Sequence, residues 1–160
     1  MHMYSGWFRG QLATIADGFI WATRQVPEAR HNLQPPKGLG EWTVARHVFH
    51  LWYYEKTVAL PSMQQWFGGA IPILDDKDED AAWSRSQETI DILLANFRNV
   101  REEQITLLPE LDDAVWNVTR KAVWGPVTLL WVVSKTYQHT AEHINDVMQI
   151  GLFWDAALKG

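Results

Sequence analysis

Apolar residues recur along this chain with the spacing of helices. Over residues 5–25, Phe8, Leu12, Ile15, Phe19, Ala22 and Val26 step by four and three. That is one face of an amphipathic helix. Ser5 reads as its N-cap, and Pro27 as its stop. "HNLQPPKGLGEW" then reads as a loop, since two prolines and two glycines cannot continue a helix. Thr43 caps a second helix whose stripe is Val44, Val48, Leu51, Glu55 and Val58, ending before Pro61. "SMQQWFGGAIPIL" reads as a turn or short helix closing on Gly68 and Gly69, and "DDKDED" as a solvated acidic loop.

A third helix is expected from "SRSQE". Ser84 and Gln87 have capping-box spacing, and Ser86 is a rival cap. Its stripe is Ile90, Leu93, Leu94, Phe97, Val100, Gln104 and Leu107, and Pro109 stops it. The next connection is long for a helical bundle. Its "AVWNVTRKAVW" partly alternates, so it either wraps across the bundle or forms a short hairpin. The fourth helix runs from about Thr128 to Ile150 or slightly beyond Gly151. Four long helical patterns and no strong strand run predict an all-α fold. Its simplest form is a four-helix bundle, with long connections after helices 2 and 3. Residues 1–160 read as a single domain.

Composition narrows the partners. Hydrophobic residues make up 47% of the chain and charged residues 21%, which fits a globular protein. The net charge of −5 and the lack of a basic run argue against nucleic acid. With no cysteine there is neither a disulfide framework nor a thiolate metal site, which suits a reducing, cytoplasmic setting. No 18-residue apolar stretch predicts a membrane span. Ten tryptophans predict ring-lined packing or an interface, and make a homodimer plausible.

The chemistry concentrates in histidine. His139 and His143 lie four residues apart, about 40° around a helix, and so share a face. They continue a stripe of Val132, Thr136, Val147 and Ile150, so they face the interior or its edge. The plain alternative is two core histidines satisfied by neighbouring oxygens, since unpaired buried polar groups are costly. A metal site needs a third ligand from a facing helix. The second helix offers His47 and His50, and spacing alone leaves the choice open.

The chain resembles the DinB/YfiT-like superfamily of small metalloenzymes. Trp42, Thr43 and Val44 followed by His50, Leu51 and Glu55, the "HTAEH" of residues 139–143, and the order of the parts carry the likeness. The resemblance implies a four-helix bundle with a three-histidine site: His50, His139 and His143 holding a divalent metal, zinc or nickel. It also implies a small-molecule substrate and, in some relatives, a low-molecular-weight thiol used for transfer or isomerisation. It implies no DNA binding. Three imidazoles leave a coordination position open, the pattern of a catalytic site. His47, Tyr54, Glu55, Glu142 and Asp146 are candidates to orient the ligands. Asp146, three residues after His143, faces the site better than Glu142. Trp42 is expected to anchor the helix entry, and Trp52, Tyr53, Tyr54, Trp131 and Tyr137 to pack in the core or a dimer interface. The competing function is a non-catalytic bundle, a binding or dimer-forming module with structural or ligand-binding histidines.

Overall fold

The computed structural model describes residues 3–72, 76–108 and 111–159, residues 76 and 77 by backbone alone. It is mostly helical, with one small sheet. The long helices are α1 (Met3–Gln25), α2 (Val44–Tyr54), α5 (Ile90–Thr106) and α7 (Leu129–Ala157). Each of α1 and α2 packs on both α5 and α7. Every residue of the α1 stripe is buried, as its period predicts.

The starts of α2 and α5 both follow the capping rule, one as expected and one displaced. Thr43 accepts from the Arg46 N–H and opens α2. For α5 the cap is Thr89, which accepts from Ile92, rather than Ser84 or Ser86. Ser84 lies inside α4 (Asp76–Arg85), where its hydroxyl donates to the Asp80 carbonyl. Ser5 is also no cap. Buried within α1, its oxygen accepts from the Leu111 N–H and the Trp116 indole. The expected stop at Pro109 and the start of the acidic run, Asp75, lie outside the described residues.

The second helix does not end before Pro61. It passes through a π turn, Glu55–Ala59, into α3 (Leu60–Gln64). Leu60 N–H reaches the Glu55 carbonyl, five residues back. Proline has no N–H and its ring crowds the preceding turn, so a widened turn accommodates it where a regular one would break. The segment ends at Gly68, whose φ of 92° suits glycine.

The acidic run is not a loop. Residues 76–80 form the first half of α4, and Trp83 on its second half packs 5.2 Å from the Phe49 ring. The long third connection holds α6 (Asp113–Trp116) and a hairpin, β1 (Thr119–Ala122) with β2 (Gly125–Thr128), paired Thr119↔Thr128 through Ala122↔Gly125. Of the two readings of "AVWNVTRKAVW", the short hairpin is the one found, although β1 shows no in–out alternation of burial.

Two apolar clusters fill the interior. One gathers Phe19, Val48, Leu51, Leu94, Phe97 and Ile150, and the other Leu12, Met63, Leu108, Trp116 and Leu129. A buried polar belt joins the π turn, α5 and α7. Arg101 Nη2 lies 3.2 Å from Glu55 Oε1, Gln104 Nε2 donates to Glu55 Oε2 at 2.6 Å, and Arg101 donates to Thr140 at 2.9 Å. Glu55 and Arg101 are 0% and 1% exposed. No helix among the described residues is long and apolar enough to cross a membrane.

Candidate metal centre

The α2 and α7 faces that carry histidine meet above this belt. His139 and His143 sit on one face of α7, as their spacing requires, and both are buried. His139 Nε2 lies 3.2 Å from His143 Nε2 and 3.2 Å from His50 Nε2. Three Nε2 atoms from two helices thus surround one point.

That geometry fits a cation. With metal–nitrogen bonds of about 2.0–2.1 Å, ligand nitrogens are separated by about 3.3 Å in a tetrahedral site and about 2.9 Å at octahedral right angles. The chemistry of the donors agrees. A neutral imidazole has one N–H, so the lone His139 Nε2 cannot satisfy two nitrogens as a hydrogen-bond donor. A shared cation satisfies all three. His50, His139 and His143 form a group that could hold a metal ion, and among the described residues no fourth histidine or carboxylate joins it.

Burial keeps the His139 and His143 rings neutral, the form that ligates. Desolvation, then the charges of His50, Lys135 and Arg101, pulls His139 down to about 3. Desolvation, then His139, His50 and His47, lowers His143 even further. His47 falls to about 4, again mainly by desolvation, helped by His50 and Arg46.

The remaining expected residues divide. His47 is not in the Nε2 group. Its Nδ1 lies 2.9 Å from His143 Nδ1, on the far side of that ring. Once His143 Nε2 is a ligand, its proton is on Nδ1 and His47 is the acceptor. Asp146 Oδ2 stands 4.0 Å from the same nitrogen, and His47, His143 and Asp146 form a second group of possible ligands. A cavity of about 440 Å³ opens beside this group, lined by Trp42, His47, His143 and Asp146. Tyr54 packs its ring 4.2 Å from that of His139, and burial, then Glu55 and Glu142, raises its hydroxyl pKa. Glu55 does not reach a histidine. Its side chain turns into the belt, where burial raises its pKa against the pull of Arg101. Glu142 is exposed and takes a hydrogen bond from Gln138, away from the rings, as a helix position about 100° off the face of His143 requires.

One residue at the site escaped the sequence, and another has a larger part than expected. Glu79, from the run read as a solvated loop, accepts from His50 Nδ1 at 2.8 Å. Its oxygen also lies 2.8 Å from Arg46 Nη1. The signal available was the "AAW" that follows the acids, the apolar anchor of a docked helix. Trp42 does more than anchor a helix entry. Its ring lies 4.8 Å from His50 and 5.4 Å from His47, stacks parallel to His143, and carries the Arg46 guanidinium at 4.8 Å. Of the other rings, Trp52 and Tyr53 pack on the core, Trp131 is exposed against Trp124, and Tyr137 packs against the Leu129 cluster.

A DinB superfamily family model matches residues 11–147, a span that holds all four of these histidines. No curated protein matches the chain.

Proposed function

The chain belongs to the DinB superfamily, and from that premise we propose that it is a divalent-metal-binding protein acting as a metal-dependent enzyme on a small-molecule substrate. The proposed fold is the family's four-helix bundle, made from residues 1–160 as one domain. The ligands are His50, His139 and His143, each through Nε2. The observation that carries the reading is the pair of 3.2 Å Nε2–Nε2 separations centred on His139.

Imidazole donors suit zinc or nickel. When bound, such a cation supplies a Lewis-acid centre, with a vacant position for water or a thiol whose ionised form it stabilises. The chain's own residues supply the rest. Burial holds His139 and His143 neutral, so their lone pairs are available near neutral pH. Trp42 and Tyr54 wall the rings and limit water around them. A low-molecular-weight thiol fits as co-substrate, because the chain has no cysteine to provide a thiolate. Thiol transfer and isomerisation use such a thiolate, whereas hydrolysis uses water in its place. A cytoplasmic homodimer is the proposed working state.

Metal content decides the reading. Untagged protein should purify with, or take up, close to one zinc or nickel per chain. A His50→Ala/His139→Ala/His143→Ala variant should hold none. Equal, near-zero metal in both leaves the competing reading, a non-catalytic bundle whose histidines serve structure.

A further inference from the structure

We infer that Glu79 is a positioning residue for the metal centre: from α4 it fixes the His50 ring with Nε2 turned toward His139 and His143. This rests on the metal-binding reading above. His50 Nε2 is the nitrogen 3.2 Å from His139 Nε2, so its lone pair must point there. The ring proton is then on Nδ1 and needs an acceptor. Glu79 Oε1 is that acceptor, at 2.8 Å.

Glu79 is not itself a ligand. It meets the opposite edge of the ring from the convergence point, and it is absent from the ligand group. Its own orientation is locked. Arg46 and His50 are one helical turn apart on α2, so both side chains reach the same carboxylate oxygen, Arg46 Nη1 at 2.8 Å. Asp80 holds the other end of the guanidinium at 2.9 Å, and Trp42 lies against its face. Trp83 seats α4 on the Phe49 ring and so sets the height at which Glu79 arrives. His143 has an analogous partner in His47, whereas His139 Nδ1 is buried with no hydrogen-bond partner among the described residues. Orientation of the centre therefore enters through two of its three rings, one of them held from a helix that carries no ligand.

The test is cobalt(II) titration of the full chain, read by visible d–d absorption and by competition with a chromophoric chelator. Four proteins are compared: wild type, Glu79→Gln, Glu79→Ala and Asp78→Ala. Asp78 is an exposed acid on the same helix, so its variant controls for lost charge alone. Glu79→Ala should bind 10- to 100-fold more weakly, with a shifted or broadened band, as loss of such an orienting partner does elsewhere. Glu79→Gln keeps an acceptor oxygen and should fall between. Asp78→Ala should stay within about twofold of wild type. Long-range ¹H–¹⁵N spectra should show His50 protonated on Nδ1 in the wild type and as mixed tautomers in Glu79→Gln and Glu79→Ala. Unchanged affinity, band and tautomer in both Glu79 variants overturns the inference while wild-type cobalt binding stands. A wild type that takes no cobalt overturns the metal reading, and this inference with it.

Discussion

Arg101→Met leaves the Glu55 carboxylate buried without its cation. Glu55 is 0% exposed, and among the described residues its remaining hydrogen-bond partner is the Gln104 amide at 2.6 Å. Removing one member of a buried ion pair costs about 3–5 kcal/mol, mostly from the charge left behind. The chain can limit that loss by protonating Glu55. For a carboxyl of ordinary pKa 4.5, protonation at pH 7 costs about 3.4 kcal/mol. The expected destabilisation at pH 7 is therefore about 3 kcal/mol. At roughly 2–4 °C per kcal/mol for a chain this size, Tm falls by about 6–12 °C. The sign with pH follows. Burial raises the folded-state pKa of Glu55 above its unfolded value, and removing Arg101 raises it further. The unfolded chain then holds the carboxylate charged where the folded chain needs it neutral, so the penalty grows above about pH 4.5 and shrinks toward it. At pH 5 it should be under about 1 kcal/mol. Chemical denaturation of Arg101→Met and of Arg101→Met/Glu55→Gln at pH 5 and 7 measures this. The double variant keeps the Gln104 hydrogen bond and removes the charge, so it should regain most of the loss. A single-variant loss under 1 kcal/mol at pH 7, an equal loss at pH 5, or no recovery in the double variant would refute the argument.

Four further outcomes are expected. Zinc or nickel at about 1,000 times its Kd should stabilise the protein by about 4 kcal/mol, raising Tm by roughly 8–16 °C, and chelator should reverse it; the triple histidine variant should show neither effect in the same melts. In chelator, stability should be full above about pH 6.5 and fall as pH drops from 6.5 toward 4, because the unfolded chain takes up protons near 6.5 while folded His47 and His139 resist until about 4 and about 3; a Tm that is flat or rising across that fall in pH contradicts it. Gly69→Ala should destabilise by about 1–3 kcal/mol, since an added Cβ would meet the Gln64 backbone at 2.9 Å. Gly10→Ala, on α1 with nothing within 4 Å, should stabilise by about 0.5–1 kcal/mol, and urea melts of the pair test both signs.

What the sequence determined by itself is what short-range hydrogen bonding dictates. A 3.6-residue period and a threonine cap at Thr43 are local, so the long helices were legible, while the hairpin stood only as one of two readings of the third connection. The shared face of His139 and His143 was legible for the same reason. His50 was singled out over His47 by resemblance, because two histidines three apart on one helix differ only in which neighbour they meet. Tertiary structure decided the rest. Pro61 signalled a break, yet packing on both sides kept the helix going through a π turn. Glu55, on the stripe of α2, met Arg101 instead of a ring. Glu79 read as solvated because six charges in a row carry no period, but Trp83 anchors its helix and brings it to a histidine 29 residues away. Which nitrogen of each ring points inward, and what holds it there, depends on side chains from different helices meeting in space. Sequence spacing sets the face of a helix; only packing sets what that face touches.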